Sequence, residues 1–301
     1  MKQSTGKKLF GKKLFGRNVI KQRTVFQNVF LYTLCVFFII YSFTLLYPIY
    51  WTVINSLKTP REFIRNLYGF PKVVVWGNFS HAFEISVKGN GIAMMTLNNI
   101  LTTVPSLFMI LLSSSLAAYT LTKYSFKGSG IIYNFVLVVG MLPFSGSIPS
   151  LYNFFKATGL YNTHLGIILL NSGGFGYPFL LLYNYYLGVS WTYAEAAQMD
   201  GASDYQVFFR VMLPQSVPML VAILIMIFMG VWGDFTNIYL YMPSHPTLAV
   251  GMKLLSDNMQ SSGDWTAMFA AMLITTVPIG ILYVWANRQF FKMRVETGIK
   301  G

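Results

Sequence analysis

Residues 24–57 read TVFQNVFLYTLCVFFIIYSFTLLYPIYWTVINSL, with no charged side chain and mostly apolar ones. A helix needs about 20 predominantly apolar residues to cross the hydrocarbon core of a bilayer. This stretch is much longer than the apolar part of a signal peptide and lacks a small-residue cleavage pattern. It therefore predicts a transmembrane helix that stays in the protein.

Five further uncharged stretches follow the first one along the chain. The chain is 54% hydrophobic and only 10% charged, whereas a soluble domain carries about 25% charged residues. The sequence thus predicts an all-α, multi-pass protein of the cell membrane, with a transmembrane domain over 25–290. Trimmed at glycines, prolines and loop residues, the stretches predict six transmembrane helices near 28–52, 93–121, 130–150, 165–187, 217–241 and 266–287.

The net charge of +13 is concentrated at the N-terminus. Basic residues in membrane proteins favour the cytoplasmic side, and most of the 22 Lys and Arg residues fall on the side of the N-terminus when six spans are assumed. We therefore predict cytoplasmic tails at 1–24 and 291–301 and a long outer loop at 53–92. The basic tail either contacts anionic lipid or is a disordered topogenic segment. A nucleic-acid partner is not expected, since that requires a folded basic face.

Cysteine and histidine offer no metal or disulfide pattern. Cys35 is the only cysteine, and the three histidines stand apart in the sequence. The chain has no phosphate-binding loop of the Gly-x-x-x-x-Gly-Lys-Ser/Thr type. We expect no metal, no cofactor bound by this chain and no ATP hydrolysis by the chain alone.

The loop between the fourth and fifth predicted spans reads WTYAEAAQMDGASDYQVFFRVMLP from Trp191 to Pro214. Two Ser/Thr-x-x-Glu/Gln patterns, beginning at Thr192 and at Ser203, predict capping boxes and hence two short helices. Gly201 is suited to the left-handed backbone that ends the first helix. Pro214 is expected to close the second helix, because the residue before a proline avoids the helical region.

Each of these short helices has a distinctive composition. The first presents small side chains that can enter a cleft in another protein, namely Ala194, Ala196 and Ala197. The second presents apolar side chains that we expect to face the spans, namely Tyr205, Phe208, Phe209 and Val211. The pair would form a rigid elbow at the membrane surface, within a loop of 190–216.

The spacing in this loop resembles a family signature. Glu195-Ala196-Ala197, three residues, Gly201, nine residues and then Val211-Met212-Leu213-Pro214 is similar to the pattern of permease subunits of bacterial ATP-binding-cassette importers, with Val211 in place of isoleucine. Residues 143–163, Trp232–Phe235 and the terminus 289–301 resemble the maltose-type sugar permeases, in particular their second permease subunit. Gly233 and Met293-Arg294 depart from that pattern.

The resemblance implies a type I importer permease fold with both termini in the cytoplasm. It implies that this chain imports a sugar, in particular an oligosaccharide, and that ATP and Mg are bound by a partner ATPase. The implied partners are a second permease subunit forming a heterodimer, two copies of the ATPase, an extracytoplasmic solute-binding protein and membrane lipid. The residues implied to contact the ATPase are Glu195, Ala196, Ala197, Asp200, Gly201, Ser203, Leu213 and Pro214, with Gly298, Lys300 and Gly301 of the tail.

Three other functions stay open at this point. The same importer class also carries amino acids, peptides or phosphate. A secondary transporter usually needs embedded acids in several spans, and Asp234 is the only acid inside a predicted span. A membrane enzyme would need clustered catalytic groups at one membrane face, and the sequence shows none.

Polar and glycine-rich positions suggest a substrate path. Residues 171–178, NSGGFGYP, should break the fourth span, and broken spans in transporters commonly mark binding sites. Close helix packing through small residues explains the same glycines. Asp234 either lines the path or is solvated at the interface. The candidate path residues are Asn171, Tyr177, Trp232, Asp234 and Asn237.

Overall fold

The computed structural model describes residues 25–142, 148–262 and 264–297. In chain order its elements are α1 Val25–Ser56, α2 Pro60–Arg65, α3 Gly77–Glu84, β1 Ser86–Val87, β2 Asn90–Gly91, α4 Ile92–Lys123, α5 Ser129–Met141, α6 Ile148–Ala157, α7 His164–Asn171, α8 Tyr177–Gly188, α9 Thr192–Met199, α10 Asp204–Val207, a π-helix Phe208–Met212, α11 Leu213–Gln215, α12 Val217–Trp232, α13 Thr236–Tyr241, α14 Leu248–Ser262 and α15 Trp265–Thr297.

The chain divides into two units, Met1–Tyr50 and Trp51–Gly301. In the first, the structure describes an apolar helix, most of α1. The second holds the last turn of α1 and every later element. The tails and domain boundaries predicted from the sequence, at 1–24, 25–290 and 291–301, stay predictions.

Three described helices are long and apolar enough to cross a membrane: α1, α4 and the first part of α15. A fourth candidate arises if the bent pair Asp204–Gln215 and Val217–Trp232 is counted as one span. The predictions near 28–52, 93–121 and 266–287 each lie within one of these helices, α15 extending further than expected. The total of six spans stays a prediction.

The predicted third span, 130–150, is wrong as a continuous helix. Helix α5 ends at Met141, and Leu142 has extended backbone with φ −85° and ψ 130°. Pro143 follows in the sequence, and the residue before a proline is pushed out of the helical region by the proline ring. The apolar composition indicated a helix but not this early end.

The predicted fifth span, 217–241, is also wrong as one helix. Helix α12 ends at Trp232, and α13 starts at Thr236. Between them the Asp234 carboxylate accepts hydrogen bonds from the backbone N–H of Asn237 at 3.1 Å and from its side-chain amide at 2.9 Å. A carboxylate that accepts from the first turn starts a new helix, and Gly233 weakens continuation of the old one. Asp234 therefore lies outside any helix.

The expected break in the fourth span is confirmed. Helices α7 and α8 are separate, with residues 172–176 between them. A Cβ placed on Gly174 would lie 3.1 Å from the carbonyl oxygen of Ser113 and 3.6 Å from the Cβ of Ala117, both on α4. This close approach supports the packing interpretation of the glycine.

Helix α4 is the central element of the second unit. Its first half contributes Ile92 and Met95 to a core shared with α12, α14 and α15. Its second half contributes Ala118 and Tyr119 to a core shared with α8, α9, α10, the π-helix and α12. A third core joins α6, α7, α13 and α14. The second of these cores positions the loop singled out by the sequence.

The all-α prediction has one small exception in the 53–92 loop. Strands β1 and β2 pair antiparallel, with Ser86 opposite Gly91 and Val87 opposite Asn90. Lys88 and Gly89 both have positive φ, 51° and 76°, as a two-residue type I′ turn requires. Helices α2 and α3 also lie in that loop.

Candidate functional site

Helix α9 begins one residue earlier than the capping pattern predicted. Trp191 already has helical backbone, with φ −69° and ψ −21°, and makes no side-chain cap. Ser190 Oγ instead accepts the Thr192 backbone N–H at 3.3 Å. The predicted capping box of Thr192 and Glu195 is therefore wrong, because Thr192 lies inside the helix it was expected to precede.

Gly201 ends α9 as predicted. Its φ is +83°, and its N–H donates to the Gln198 carbonyl at 2.9 Å while the Ala202 N–H donates to the Ala197 carbonyl at 3.0 Å. These two bonds form the Schellman arrangement, which satisfies the last carbonyls of a helix around a left-handed residue. The chain therefore turns sharply here with the Gly201 and Ala202 N–H groups both hydrogen bonded to carbonyls of α9.

The second capping box is confirmed. Ser203 Oγ accepts the Gln206 N–H at 3.4 Å, and Gln206 Oε1 accepts the Ser203 N–H at 2.9 Å. The Gln198 side-chain amide donates to the Asp204 carboxylate at 3.1 Å across the turn. Helices α9 and α10 are thereby tied to each other on both sides of Gly201.

Pro214 does not close the second helix, so that prediction is wrong. The chain passes from α10 through the π-helix into α11, which contains Pro214 and ends at Gln215. In a regular α-helix the proline ring clashes with the carbonyl four residues earlier. The wider π turn, in which the Leu213 N–H bonds to the Phe208 carbonyl, gives the helix another geometry before the proline.

The π turn also changes which side chains face inward. Val207, Phe208 and Met212 are buried against α4 and α8, whereas Tyr205 is 79% exposed and Phe209 47% exposed. The expectation that these side chains face the spans is confirmed for Phe208 and wrong for Tyr205 and Phe209. The π turn begins at Phe208, so it accounts for the position of Phe209 but not for that of Tyr205. In α9, Ala194 is fully buried while Glu195 and Ala196 are exposed, so the three alanines do not form one outward face.

The segment ends at a sharp bend held by two tyrosines of α8. The pair Asp204–Gln215 and Val217–Trp232 is bent by 70°. Tyr185 Oη donates to the Gln215 carbonyl at 2.6 Å, and Tyr186 Oη donates to Ser216 Oγ at 3.0 Å. Ser115 of α4 contacts the Tyr186 hydroxyl at 2.7 Å. We call Ser115, Tyr185, Tyr186 and Ser216 the bend clamp.

The sequence interpretation missed the bend clamp. Pro218 two residues after Ser216 signals a helix start there, but nothing local connects that position with Tyr186. Tyr186, Ser115 and Ser216 are all fully buried, so their hydroxyls need partners within the protein. Which partners they have depends on how α4, α8 and α12 pack.

The start of the segment is also fixed by the ends of α4 and α8. Lys123 Nζ donates to the carbonyl of Val189, the residue that follows α8, at 2.5 Å. The rings of Tyr124 and Trp191 meet edge to face with centroids 6.0 Å apart. Helices α4 and α8 thus hold the 190–216 segment at its entry and at its exit.

The structure scatters the five candidate path residues among different surroundings. It brings Asp234 and Asn237 together. Asn171 donates to Ser106 of α4 at 3.4 Å, and Tyr177 is 56% exposed at the start of α8. Trp232 is 8% exposed and stacks on Phe228 in the first core. Their role in passage stays a prediction.

Gly298, Lys300 and Gly301 of the C-terminal tail, expected to reach the ATPase, lie outside the described residues. Among the residues that the structure does describe, no group of three or more His, Cys, Asp or Glu could hold a metal ion. The rings of His164 and His245 come within 5.3 Å of each other without a third ligand of this kind.

Comparison with known proteins identifies similar sequences over most of the chain. Residues 92–293 match the family described as "Binding-protein-dependent transport system inner membrane component". The probable ABC transporter permease protein YurM of Bacillus subtilis is 29% identical over 88% of this chain and 87% of its own length. The diacetylchitobiose uptake system permease protein NgcG of Streptomyces coelicolor is 29% identical over 83% of each chain.

Two further relatives extend this picture. The maltose/maltodextrin transport system permease protein MalG of Vibrio vulnificus is 31% identical over 66% of this chain and 69% of its own length. A bacterial ABC transporter involved in the import of the acidic polysaccharide alginate has a similar structure, with a TM-score of 0.73 at 20% identity. That match covers 88% of this chain and 98% of the other, and it is a similarity of fold.

Proposed function

Since the chain belongs to the binding-protein-dependent transport system inner membrane components, the permease subunits of ATP-binding-cassette importers, we propose that its 190–216 segment couples sugar passage to a partner ATPase. The chain is an inner-membrane permease and not the ATPase itself. The single observation that carries the proposal is the paired, glycine-turned α9–α10 unit, which is tied at both ends to α4 and α8.

The coupling role follows from the stiffness of this unit. Each turn of its backbone is hydrogen bonded, and its inner face is packed in a core. A partner that moves α9 therefore moves the ends of α4 and α8 with it, because interlocked cores do not deform continuously. The docking face consists of the exposed residues Glu195, Ala196 and Asp200, with Gly201 and Ser203 forming the turn beside them.

The remaining parts of the assembly are proposed from the family. A second permease subunit supplies another such unit, two ATPase copies bind ATP and Mg, and a solute-binding protein delivers substrate from outside. Both termini lie in the cytoplasm, and the Gly298–Gly301 tail reaches the ATPase. The six spans of the type I importer fold comprise α1, α4, α5, the broken pair α7–α8, α12 and α15, while the bent segment before α12 stays at the membrane surface.

The proposed substrate is a sugar, in particular an oligosaccharide. Similar permeases carry names for diacetylchitobiose, arabinooligosaccharides and maltodextrin uptake. The amide and hydroxyl groups at the broken fourth span, Asn171 and Tyr177, together with Asp234 and Asn237, are the polar candidates for its path. Amino acids, peptides or phosphate are the alternative cargo of the same importer class.

Crosslinking at α9 tests the coupling role. Cys35 is the only cysteine, so Cys35→Ser gives a cysteine-free background. In it, Ala196→Cys should crosslink to a cysteine on the ATPase, because Ala196 is exposed, and the yield should change with bound nucleotide. Ala194→Cys is the matched control, two residues away and fully buried, and should give no product.

A result with no ATPase product at Ala196 or at Glu195→Cys, in a complex that still contains the ATPase, would overturn the coupling proposal. Equal products at Ala194 and Ala196 would do so too, since they would indicate that α9 does not present the face described.

A further inference from the structure

Residues 60–76, which we call the outer-loop surface, expose an unusual number of large apolar side chains for a segment outside the helices long enough to span. Ile64, Tyr68, Phe70 and Trp76 are between 69% and 73% exposed. Clustered exposed apolar groups of this size mark a contact with another apolar phase or a partner. Single exposed apolar residues would need no explanation, but four in one short segment do.

The same surface carries a basic groove. Arg61, Arg65 and Lys72 line a groove of about 420 Å³ together with Asn66 and Glu62. Glu62 is the one acid in it, and its carboxylate accepts the Lys72 backbone N–H at 2.7 Å. The groove therefore carries more positive than negative charge. This charge complements an anionic ligand such as a phosphate group.

The outward side chains are held in place from beneath. Phe63 packs edge to face on Trp51 and Phe269, at centroid distances of 6.2 and 5.3 Å. Lys58, fully buried, donates to Asn55 Oδ1 at 2.8 Å and to the Asn66 carbonyl at 2.6 Å. The segment is firmly attached, so its exposed apolar groups do not result from loose folding.

Burial of Lys58 has an electrostatic consequence. It lowers the pKa of the Lys58 ammonium below its ordinary value, and the nearby Glu62 carboxylate offsets part of that effect. Because its side chain is occupied with Asn55 and the Asn66 carbonyl, Lys58 anchors the segment. The cations left to meet a ligand at the groove are Arg61, Arg65 and Lys72.

The position of the outer-loop surface in the chain indicates which kind of ligand the basic groove binds. Helix α1 ends at Ser56 and α2 begins at Pro60, so the chain between them spans at most about 14 Å. The basic groove thus lies near the end of an apolar helix that crosses the membrane. Tyr and Trp are enriched at both membrane–water interfaces, and Arg binds phosphate groups through charge-assisted hydrogen bonds.

We propose that the outer-loop surface is a lipid-binding site. Arg61, Arg65 and Lys72 bind the phosphate headgroup of an anionic phospholipid, while Tyr68, Phe70 and Trp76 enter the interface of the bilayer. The site anchors the loop between α1 and α4 at the membrane surface. This role goes beyond substrate passage and does not depend on which solute is carried.

Spin labelling of the assembled importer tests the site. In the Cys35→Ser background, Phe70→Cys is labelled with a nitroxide and the complex is placed in vesicles containing phosphatidylglycerol. The label should be more accessible to oxygen than to a water-soluble nickel chelate. Ser80→Cys, exposed on α3 and polar by nature, is the matched control and should show the opposite preference.

The charge requirement is tested in two independent ways. Replacing phosphatidylglycerol by phosphatidylcholine should shift the label at position 70 toward water with the chain otherwise unchanged. The triple variant Arg61→Gln/Arg65→Gln/Lys72→Gln should remove the effect of lipid charge, with recovery of the full complex verifying that it folds.

A label at position 70 that the nickel chelate reaches as readily as it reaches position 80 would overturn the proposal. So would a label sheltered from both oxygen and chelate, because it would mean that the second permease or the binding protein covers this surface. An unchanged response to lipid charge in the triple variant would remove the headgroup assignment. None of these outcomes affects the ATPase crosslink at Ala196.

Discussion

At the scale of the residue, Gly201 carries the turn of the 190–216 segment through its backbone alone. No atom lies within 4 Å of the position where its Cβ would be, but its φ is +83°. The cost of any side chain there is therefore conformational rather than steric. Gly188, at the end of α8, is equally open but does not have positive φ, which makes it a matched control.

We expect Gly201→Ala to destabilise the turn by about 1 kcal/mol and to lower transport-coupled ATP hydrolysis in the reconstituted complex. Gly201→Leu should reduce it further. Gly188→Ala should leave hydrolysis near the wild-type rate, and Gly201→Asn should recover part of the loss because asparagine tolerates left-handed backbone. Equal rates for Gly201→Ala and Gly188→Ala would show that the left-handed residue is dispensable.

Local chemistry explains which residues of the segment could be predicted. Gly201 and Ser203 act through backbone groups within three or four residues of themselves, so their roles follow from spacing. Thr192 satisfies the same spacing, yet Ser190 takes its place. Proline ends a helix before it only when that helix is a regular α-helix. The spacing of capping residues, glycine and proline in this segment does not indicate the π turn that accommodates Pro214.

At the scale of the element, the broken pair α7–α8 depends on one close approach to α4. Gly174 has the Ser113 carbonyl on one side, whereas its neighbour Gly173 has no atom within 4 Å of a Cβ position. The two glycines are adjacent in the sequence but differ in surroundings. Substituting each glycine in turn distinguishes two explanations for the break between α7 and α8: close packing against α4, and flexibility of the backbone.

We expect Gly174→Val to destabilise the protein by about 1–3 kcal/mol, the usual cost of overpacking, seen as a lower thermal unfolding midpoint in detergent. Gly173→Val should change the midpoint little. If instead Gly173→Val proved the more damaging, flexibility of residues 172–176 would matter more than their contact with α4, and the packing explanation would fail.

Composition predicts that apolar helices exist better than it predicts where they end. The first, second and sixth predicted spans each lie within one described helix, because no charged residue interrupts their apolar stretch. The third and fifth end early at Leu142 and at Gly233, where local backbone preferences outweigh hydropathy. Helix α14 was missed because it carries an ion pair between Lys253 and Asp257 and has no long apolar stretch.

At the scale of the whole molecule, the proposed cargo is tested on the proposed assembly rather than on this chain alone. We expect the complex of this permease, its second permease, ATPase and binding protein to hydrolyse ATP several-fold faster when an oligosaccharide is supplied. Maltodextrin, arabinooligosaccharide and diacetylchitobiose are the first probes. Stimulation of ATP hydrolysis by amino acids, dipeptides or phosphate, with none by any oligosaccharide, would contradict the sugar proposal and support the alternative cargo.

The parts of the site that could not be predicted from the sequence depend on contacts between residues far apart in the chain. The family signature located the 190–216 segment, because its spacing is local. The bend clamp brings Ser115, Tyr186 and Ser216 together from three helices, and a single sequence does not contain that proximity. The same holds for the stacking of Trp232 on Phe228 in the first core, while the role of Trp232 in passage stays a prediction.

If the proposed coupling holds, the 70° bend at Ser216 lets the segment before it act on α12 as the arm of a crank. A push on that arm directed along the membrane surface would reach α12 as a rotation about its lower end and not as a thrust along its axis. The pivot of that crank is shared with α8 through the hydroxyl of Tyr186. Because the two arms have similar lengths, a stroke at the segment would thereby become a swing of comparable amplitude at the far end of α12, beside Asp234.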